Sequence, residues 1–304
     1  MKKIILGTIL GLTSIGLFGC ENQNKTDGDI VISHVKGEAH VTSNVEKAVV
    51  FDMGVLDTID ELNVNVELAL PVSSVPEYLS EYQNAYNAGG IKEPDMEAIV
   101  NFGADVIFIS GRQESYYEEL NKIAPTIYVE LNASTYMEDF SKNTLNIGKV
   151  FNKEEEAKNF INKYDNKIAE IKTLTNASNE KGLILLTNDK SISAYGSGSR
   201  FGIIHDVLEV KRADETIEVS THGQKVNYEY ISQVNPDMLF VVDRTKITGT
   251  GDDALTVLDN DLVKKTNAYL NNKIFLLDAE MWYLSAGGVK SLGVMLDEIH
   301  SAFK

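Results

Sequence analysis

Cysteine is nearly absent from this chain. One of its 304 residues is a cysteine, at position 20, which excludes a disulfide framework, a cysteine-ligated metal cluster and a thiol nucleophile in the body of the protein. The sequence also lacks the His-Glu-x-x-His pair and the Gly-x-Ser-x-Gly elbow of two large hydrolase classes, and its five histidines are scattered. Enzymes built on these groups therefore find no support.

Basic residues are scarce as well. Lysine and arginine total 28 against 45 aspartates and glutamates, which gives a net charge of −17. Such an acidic chain argues against nucleic acid as a partner and against a basic face that binds membranes. Four of the basic residues are arginines: Arg112, Arg200, Arg212 and Arg244.

The first 19 residues have the layout of a secretory signal peptide. Two lysines are followed by an apolar run and then by Gly19 and Cys20. The ending resembles a bacterial lipobox, in which Cys20 is diacylated, and two acyl chains suffice for stable anchoring to a membrane. An ordinary signal peptide with a chance cysteine is the alternative. Residues 20–29 are polar and predict a flexible tether.

Strand-like and helical stretches alternate through the rest of the chain. Continuous apolar runs, rich in β-branched and aromatic residues, predict strands that are buried on both faces of a mainly parallel sheet. These runs lie at 48–51, 105–109, 126–129, 182–186, 237–242 and 274–277. A hairpin is predicted over 29–42. The alternation predicts an α/β fold.

An internal repeat indicates two related lobes. In each copy an acid begins a short helix, an aspartate eight positions later opens a buried strand, and an arginine follows that strand. The copies are Glu97, Asp105 and Arg112, and, 132 residues later, Glu229, Asp237 and Arg244. Chance agreement between two α/β units is the alternative.

A long amphipathic stretch separates the two copies. Between positions 153 and 174 the apolar residues recur with helical spacing, and acids cluster at the N-terminal end, which predicts one long helix. We therefore expect two Rossmann-like α/β lobes, over 30–150 and 177–304, joined by a single helix over 151–176.

A ligand cleft is predicted between the lobes. In open α/β sheets, ligands bind beyond the carboxyl ends of the strands. Arg112 and Arg244 each follow a predicted strand, so both should face this cleft. Arg200 lies in a glycine-rich loop, 195–202, whose spacing does not fit a dinucleotide motif.

The three arginines Arg112, Arg200 and Arg244 are candidates for an anion site. Guanidinium groups are preferred where planar, oxygen-rich anions or aromatic faces are bound. A structural ion pair that closes a loop is the alternative for each of them.

Two other residues are candidate ligands for ferric iron. Tyr283 lies beyond the last predicted strand and His222 lies in a polar turn after the strand-like stretch 217–219. A phenolate is a hard donor suited to ferric iron, and imidazole is an acceptable companion. On the residues alone, His222 also fits a surface turn and Tyr283 a core aromatic position.

Several stretches together are similar to one family. They lie at 49–58, 90–94, 108–113, 199–208, 221–224, 235–237, 241–244 and 282–283. Over essentially its whole length the chain resembles the siderophore-binding lipoproteins of ABC importers. The likeness is greatest to the branch that takes up enterochelin-type and petrobactin-type ferric catecholates.

This resemblance implies roles for particular residues. It places Arg112, Arg200 and Arg244 around an anionic catecholate, in a cleft that closes only slightly on binding. It implies that His222 and Tyr283 ligate iron when the siderophore supplies four donor atoms instead of six. It also implies that Glu97 and Glu229 dock onto the permease, although an acid at a helix N-terminus also has a structural role through the helix dipole.

The implied function is that of a substrate-binding component, with no catalysis. It would capture a ferric catecholate siderophore as the transported ligand, without a permanent cofactor, and deliver it to an ABC permease and its ATPase. We expect a monomer on the extracytoplasmic face of the cell membrane, held by the lipid anchor, or in the periplasm. A haem, cobalamin or hydroxamate carrier on the same scaffold, a metal-dependent surface hydrolase using His222 and a structural surface lipoprotein are the alternatives. The arginines and the His–Tyr pair argue against neutral hydroxamates.

Overall fold

The computed structural model of the chain describes residues 30–220 and 222–304. The predicted signal peptide, Cys20 and the tether lie outside these residues. Among the helices of residues 30–220 and 222–304, none has the length and hydropathy that a membrane span requires.

The first lobe is built on a parallel sheet. Its strands, in spatial order, are β5 (Tyr86–Asn87), β4 (Glu67–Leu70), β3 (Lys47–Val50), β6 (Val106–Ile109) and β7 (Thr126–Tyr128). An antiparallel hairpin of β1 (Ile30–His34) and β2 (Gly37–Val41) precedes the sheet, as predicted. The helices of this lobe are α1 (Met53–Glu61), α2 (Met96–Phe102), α3 (Tyr117–Ile123) and α4 (Tyr136–Val150).

The second lobe contains a mixed sheet. Its strands, in spatial order, are β11 (Gln224–Val226), β9 (Ser191–Tyr195), β8 (Lys181–Asn188), β12 (Met238–Asp243) and β13 (Ile274–Leu277), with β10 (Lys211–Arg212) beside the start of β8. β8, β12 and β13 are parallel, whereas β9 turns back antiparallel to β8. The helices are α6 (Ile203–Asp206), α7 (Tyr228–Val234), α8 (Thr245–Thr248), α9 (Ala254–Leu258), α10 (Asn267–Leu270) and α11 (Val289–Ala302).

The central strands are buried on both faces, because helices cover both sides of each sheet. Every residue of β6 and β12 is buried, and Phe108 and Phe240 within them are fully inaccessible. Each such side chain contributes about 1.5–3 kcal/mol through its removal from water. These continuous apolar runs made the strands predictable from the sequence.

The internal repeat is a structural repeat. Asp95 is the N-cap of α2, and its side chain accepts a hydrogen bond from the Ala98 amide at 3.0 Å. Asn227 caps α7 in the same way, since its side chain accepts from the Tyr230 amide at 2.9 Å. Both helices end in a left-handed residue, a conformation that terminates a helix and turns the chain toward the following strand.

The two repeated aspartates also have equivalent contacts. Asp105 accepts a hydrogen bond from the Lys47 amide at 2.9 Å, and Asp237 accepts one from the Lys181 amide at 3.0 Å. Each carboxylate therefore ties the start of one strand to the start of its neighbour. The arginine that follows each strand is thereby held in an equivalent place in both lobes.

A helix of 24 residues, α5 (Glu154–Ala177), joins the two lobes. At 1.5 Å per residue it is about 36 Å long. The C-terminal helix α11 packs against both α5 and α1, so a second element connects the halves of the molecule. The lobe boundaries at 150 and 177 stay a prediction.

One predicted element is wrong. The stretch 217–219 alternates apolar and polar residues but is not a strand. β11 occupies the edge of β9, and the Glu218 amide donates instead to the Gln224 side chain at 3.1 Å. The stretch 217–219 therefore makes a side-chain hydrogen bond in a loop, while β11 takes the place beside β9.

Candidate ligand-binding cleft

A cleft of about 1140 Å³ lies between the lobes. Its walls come from loops that follow β3, β4, β6 and β7 in the first lobe and β12 and β13 in the second, together with two loops that flank β9 and β11. All five predicted ligand-binding residues line it: Arg112, Arg200, His222, Arg244 and Tyr283. The structure therefore brings together residues that are far apart in the sequence.

Arg112 lies just past β6, in a tight 3₁₀ turn over Gly111–Tyr116. The turn is fixed by a capping box, in which the Gln113 side chain accepts from the Ser110 amide at 3.1 Å. Gln113 is fully buried and also donates to the Ile91 carbonyl. The backbone that carries Arg112 is thus held on two sides.

Arg200 is the most constrained of the three arginines. One of its guanidinium nitrogens donates to the Tyr283 carbonyl at 2.5 Å, and the guanidinium carbon lies 3.9 Å from the centroid of the Tyr283 ring. Burial lowers the pKa of Arg200, and the nearby charge of Arg112 lowers it further. Arginine nevertheless stays protonated in proteins, so the site holds a partly desolvated positive charge.

The glycine-rich loop around Arg200 is tied down by Asp206. This carboxylate accepts from the Gly198 amide at 2.7 Å and from the Ser197 hydroxyl. Gly198 has a φ of 68°, which favours glycine. The loop is therefore an ordered support for Arg200.

Arg244 follows β12, and its backbone amide donates to the Thr187 carbonyl at 2.9 Å. Its guanidinium carbon lies 5.7 Å from the Tyr283 ring centroid, so Tyr283 contacts two guanidinium groups. The buried Nε of Arg244 has no hydrogen-bond partner in the part of the chain that the structure describes. The neighbouring Asp243 is occupied elsewhere, since it accepts from Thr245 and from the Ala254 amide.

No arginine in the described ranges pairs with a carboxylate. Every ion pair found there has lysine or histidine as its cation. The alternative in which these arginines close loops as structural ion pairs is therefore wrong for residues 30–220 and 222–304. Three guanidinium groups around one cleft, none paired with a carboxylate of the described residues, leave a local positive field inside an acidic protein.

Tyr283 belongs to a π-helical turn over Glu280–Leu284, closed by a hydrogen bond of 3.0 Å from the Ser285 amide to the Glu280 carbonyl. The preceding residue, Trp282, is 1% exposed and donates to Glu298 at 2.6 Å. Trp282 is thus the core aromatic residue of this turn. Tyr283 is only partly buried and faces the cleft.

His222 is exposed on the loop before β11 and lines the cleft. The next residue, Gly223, has a φ of 71°, and a Cβ there would meet the Tyr195 ring at 2.6 Å. The glycine therefore lets the loop pass close to β9, and this course brings His222 to the cleft.

Sequence reasoning missed other charged residues of the cleft. Lys92 and Lys246 add two cations, and Asp52, Glu130 and Glu280 add three acids. Asp52 could have been recognised as the N-cap of α1, where it accepts from the Gly54 amide at 2.9 Å. Glu280 accepts from the Glu77 amide, 203 positions away, at 2.8 Å. No local sequence pattern predicts that contact.

A family model described as periplasmic binding protein matches residues 49–281. The chain belongs to the periplasmic binding protein family. Such proteins are transport components that bind a ligand without converting it. Within the described ranges, no group of three or more histidine, cysteine, aspartate or glutamate side chains is placed to hold a metal ion.

Individual periplasmic binding proteins are similar over nearly the whole chain. The petrobactin-binding protein YclQ of Bacillus subtilis is 40% identical, covering 98% of both chains. Its crystal structure superposes with a TM-score of 0.87 over 91% of this chain and 99% of that one. The ferric-anguibactin-binding protein FatB of Vibrio anguillarum is 30% identical over 95% of this chain and 94% of its own.

A third relative is known from its structure. The catecholate-siderophore binding protein VctP of Vibrio cholerae is 30% identical, with a TM-score of 0.84 over 90% of this chain and 99% of that one. The predicted fold, two α/β lobes of a periplasmic binding protein, is confirmed by these likenesses.

Proposed function

We propose that this periplasmic binding protein captures a ferric catecholate siderophore outside the cytoplasm and delivers it to an ABC permease. The observation that carries the proposal is the set of three guanidinium groups, none paired with a described carboxylate, around one interlobe cleft. The similarity to the petrobactin-binding protein YclQ and the catecholate-siderophore binding protein VctP supports the same ligand class.

The chemistry of the cleft fits such a ligand. Catecholate oxygens are anionic and lie in the plane of an aromatic ring, so a guanidinium group can donate to the oxygens or stack on the ring. Arg112, Arg200 and Arg244 offer this from both lobes. Because Arg200 is already ordered against Tyr283, little side-chain entropy is lost when the ligand binds.

His222 and Tyr283 are proposed to complete the coordination of ferric iron when the siderophore supplies only four donor atoms. Both side chains belong to the second lobe and line the same cleft. The two guanidinium groups beside the Tyr283 ring would compensate the negative charge of a phenolate bound to iron. Iron is here part of the transported ligand and not a resident cofactor.

Delivery is proposed to use Glu97 and Glu229. Each is exposed in the first turn of a short helix, α2 in one lobe and α7 in the other, and the two helices are equivalent in the internal repeat. One acid on each lobe suits a permease with two basic docking points. Cys20 would carry the lipid anchor, and the protein would act as a monomer next to the permease and its ATPase.

The test is a titration of a soluble form of the protein, whose chain starts at the residue after Cys20. Ferric bis-catecholate and ferric tris-catecholate are added separately while Trp282 fluorescence and the visible charge-transfer band are followed. Trp282 is the only tryptophan in the chain and is adjacent to Tyr283. We expect saturable quenching with both complexes and a band shift with the bis complex alone.

Variants separate the two parts of the proposal. Tyr283→Phe and His222→Ala should abolish the band shift, whereas Tyr86→Phe, at an exposed tyrosine outside the cleft lining, should preserve it. Quenching without any shift would retain the carrier and remove the direct iron ligands. Absence of a saturable response would contradict the catecholate carrier, and haem and cobalamin would be titrated next, before a hydrolase assay.

A further inference from the structure

The two lobes are connected by few hydrogen bonds. Within the described ranges, every hydrogen bond between residues 30–150 and residues 178–304 ends on one of two carboxylates, Asp57 or Glu280. The two carboxylates come from opposite lobes. The packing of α11 against α1 and a Lys290–Glu61 ion pair at 4.0 Å also join the lobes, but the hydrogen bonds between them depend on these two side chains.

Asp57 belongs to α1 in the first lobe and is fully buried. It accepts from the Lys290 amide at 2.7 Å and from the Ser291 amide at 3.0 Å. Lys290 and Ser291 are the second and third residues of α11, whose amides have no partner within the helix, so a first-lobe carboxylate caps a second-lobe helix.

Glu280 makes the reciprocal contact. It belongs to the second lobe and accepts from the Glu77 amide at 2.8 Å and the Tyr78 amide at 3.4 Å. These amides begin the 3₁₀ helix Glu77–Asn84 of the first lobe. A second-lobe carboxylate thus caps a first-lobe helix.

Both contacts meet at Tyr78. Its hydroxyl donates to Asp57 at 2.7 Å while its amide donates to Glu280. The ammonium group of Lys290 lies 5.4 Å from the Tyr78 ring centroid. We call Asp57, Tyr78 and Glu280 the interlobe clamp.

We propose that Glu280 is a positioning residue for the ligand site, and that through the clamp it fixes the width of the cleft and the place of Tyr283 before a ligand arrives. Glu280 is the first residue of the π-helical turn that carries Tyr283. Its carboxylate fastens one end of this turn to the first lobe, while Arg200 holds the Tyr283 carbonyl at the other end. The inference deepens the proposed function and rests on it for the identity of the ligand.

Electrostatics alone predicts the opposite effect. Glu280 lines a cleft proposed to take an anion, so by charge repulsion its neutralisation should strengthen binding. If Glu280 acts through the interlobe clamp, Glu280→Gln should weaken binding. The two carboxylate oxygens each accept from one backbone amide, whereas the NH₂ group of glutamine cannot accept. One of the two hydrogen bonds is then lost, and the binding-competent cleft becomes less populated. The sign of the change in affinity decides between these two roles.

The first experiment compares Glu280→Gln with Glu81→Gln in the ferric bis-catecholate titration. Glu81 is an exposed acid in the same 3₁₀ helix, so its variant makes the same chemical change without touching the clamp. We expect roughly tenfold weaker binding and a reduced Tyr283-dependent band shift for Glu280→Gln. Glu81→Gln should bind as the wild type does or slightly more tightly. Tighter or unchanged binding by Glu280→Gln, with a full band shift, would overturn the inference.

A second experiment needs no ligand. Because the mature chain has no cysteine except Cys20, spin labels can be attached to the soluble protein at Glu97→Cys and Glu229→Cys, one on each lobe, after confirmation of the fold by far-UV circular dichroism. The distance distribution between the labels should broaden on Glu280→Gln and stay narrow on Glu81→Gln. An unchanged distribution would refute the clamp even if the catecholate proposal holds. A broadened one would support it even if the ligand proves to be another anion.

Discussion

The buried carboxyl group of Asp57 leads to a prediction about how the free energy of unfolding changes with pH. Burial raises the pKa of Asp57 from its ordinary value of 3.8 to about 7, although hydrogen bonds from Tyr78 and from the Lys290 and Ser291 amides lower it. Burial and the adjacent carboxylate raise the pKa of the Tyr78 hydroxyl, which therefore stays a donor at all pH values of interest. Asp57→Asn removes the titrating group at nearly constant size.

The expected magnitude follows from linkage. Between the two pKa values the folded protein holds a proton that the unfolded chain has released, so folding stability falls as the pH rises. The fall is about 1.4 kcal/mol per pH unit. Over the interval from 3.8 to about 7, Asp57 should cost roughly 4 kcal/mol in the free energy of unfolding, with no further change above pH 7.

The assay is urea unfolding of wild type and Asp57→Asn between pH 4 and pH 8, followed by circular dichroism. The other carboxylates are common to both proteins, so the difference between the two free energies of unfolding isolates Asp57. We expect the wild type to lose stability relative to the variant up to about pH 7. A relative gain with rising pH would refute the reasoning, because the three hydrogen bonds and the α11 N-terminus would then outweigh burial.

Three further predictions concern binding and delivery. Arg200→Lys keeps the charge but loses the guanidinium group that stacks on Tyr283, so catecholate titrations should show at least roughly tenfold weaker binding. The control Arg212→Lys, outside the cleft lining, should bind the catecholate as the wild type does. Alanine at both Glu97 and Glu229 should leave binding unchanged and abolish most uptake of radioactive iron by cells; normal uptake would contradict the docking role. Gly223→Ala forces a Cβ into a tyrosine ring and an unfavourable φ, so thermal unfolding should report a loss of about 1–3 kcal/mol, and an unchanged melting temperature would show that the loop simply moves away.

The sequence predicted the parts of this fold that depend on local pattern. Continuous apolar runs located the central strands, such as β6 and β12, because burial on both faces leaves a distinctive composition. Strands such as β4 and β9 were missed, because they are short or mix polar and apolar residues. β11 was missed for a related reason, because its edge position leaves it largely polar.

The candidate site was predictable only where residues follow a strand or a motif. Arg112 and Arg244 were expected in the cleft because each stands beyond a parallel strand. The interlobe clamp could not be foreseen, because Glu280 and its partner amides are 203 and 202 positions apart. A carboxylate that caps a helix in another lobe leaves no mark on the sequence around it.

The π-helical turn around Tyr283 makes the direction of the Tyr283 side chain sensitive to chain length. Such a turn holds one more residue than an α-helical turn would, and successive helical side chains differ by about 100° in direction. Deletion of a single residue before Tyr283 would restore α-helical spacing and turn the Tyr283 side chain by about 100°, toward the direction that Trp282 now takes. If Tyr283 binds iron as proposed, a carrier with this scaffold could lose that phenol by a one-residue change in length, while the two sheets and their connecting helix remain as they are.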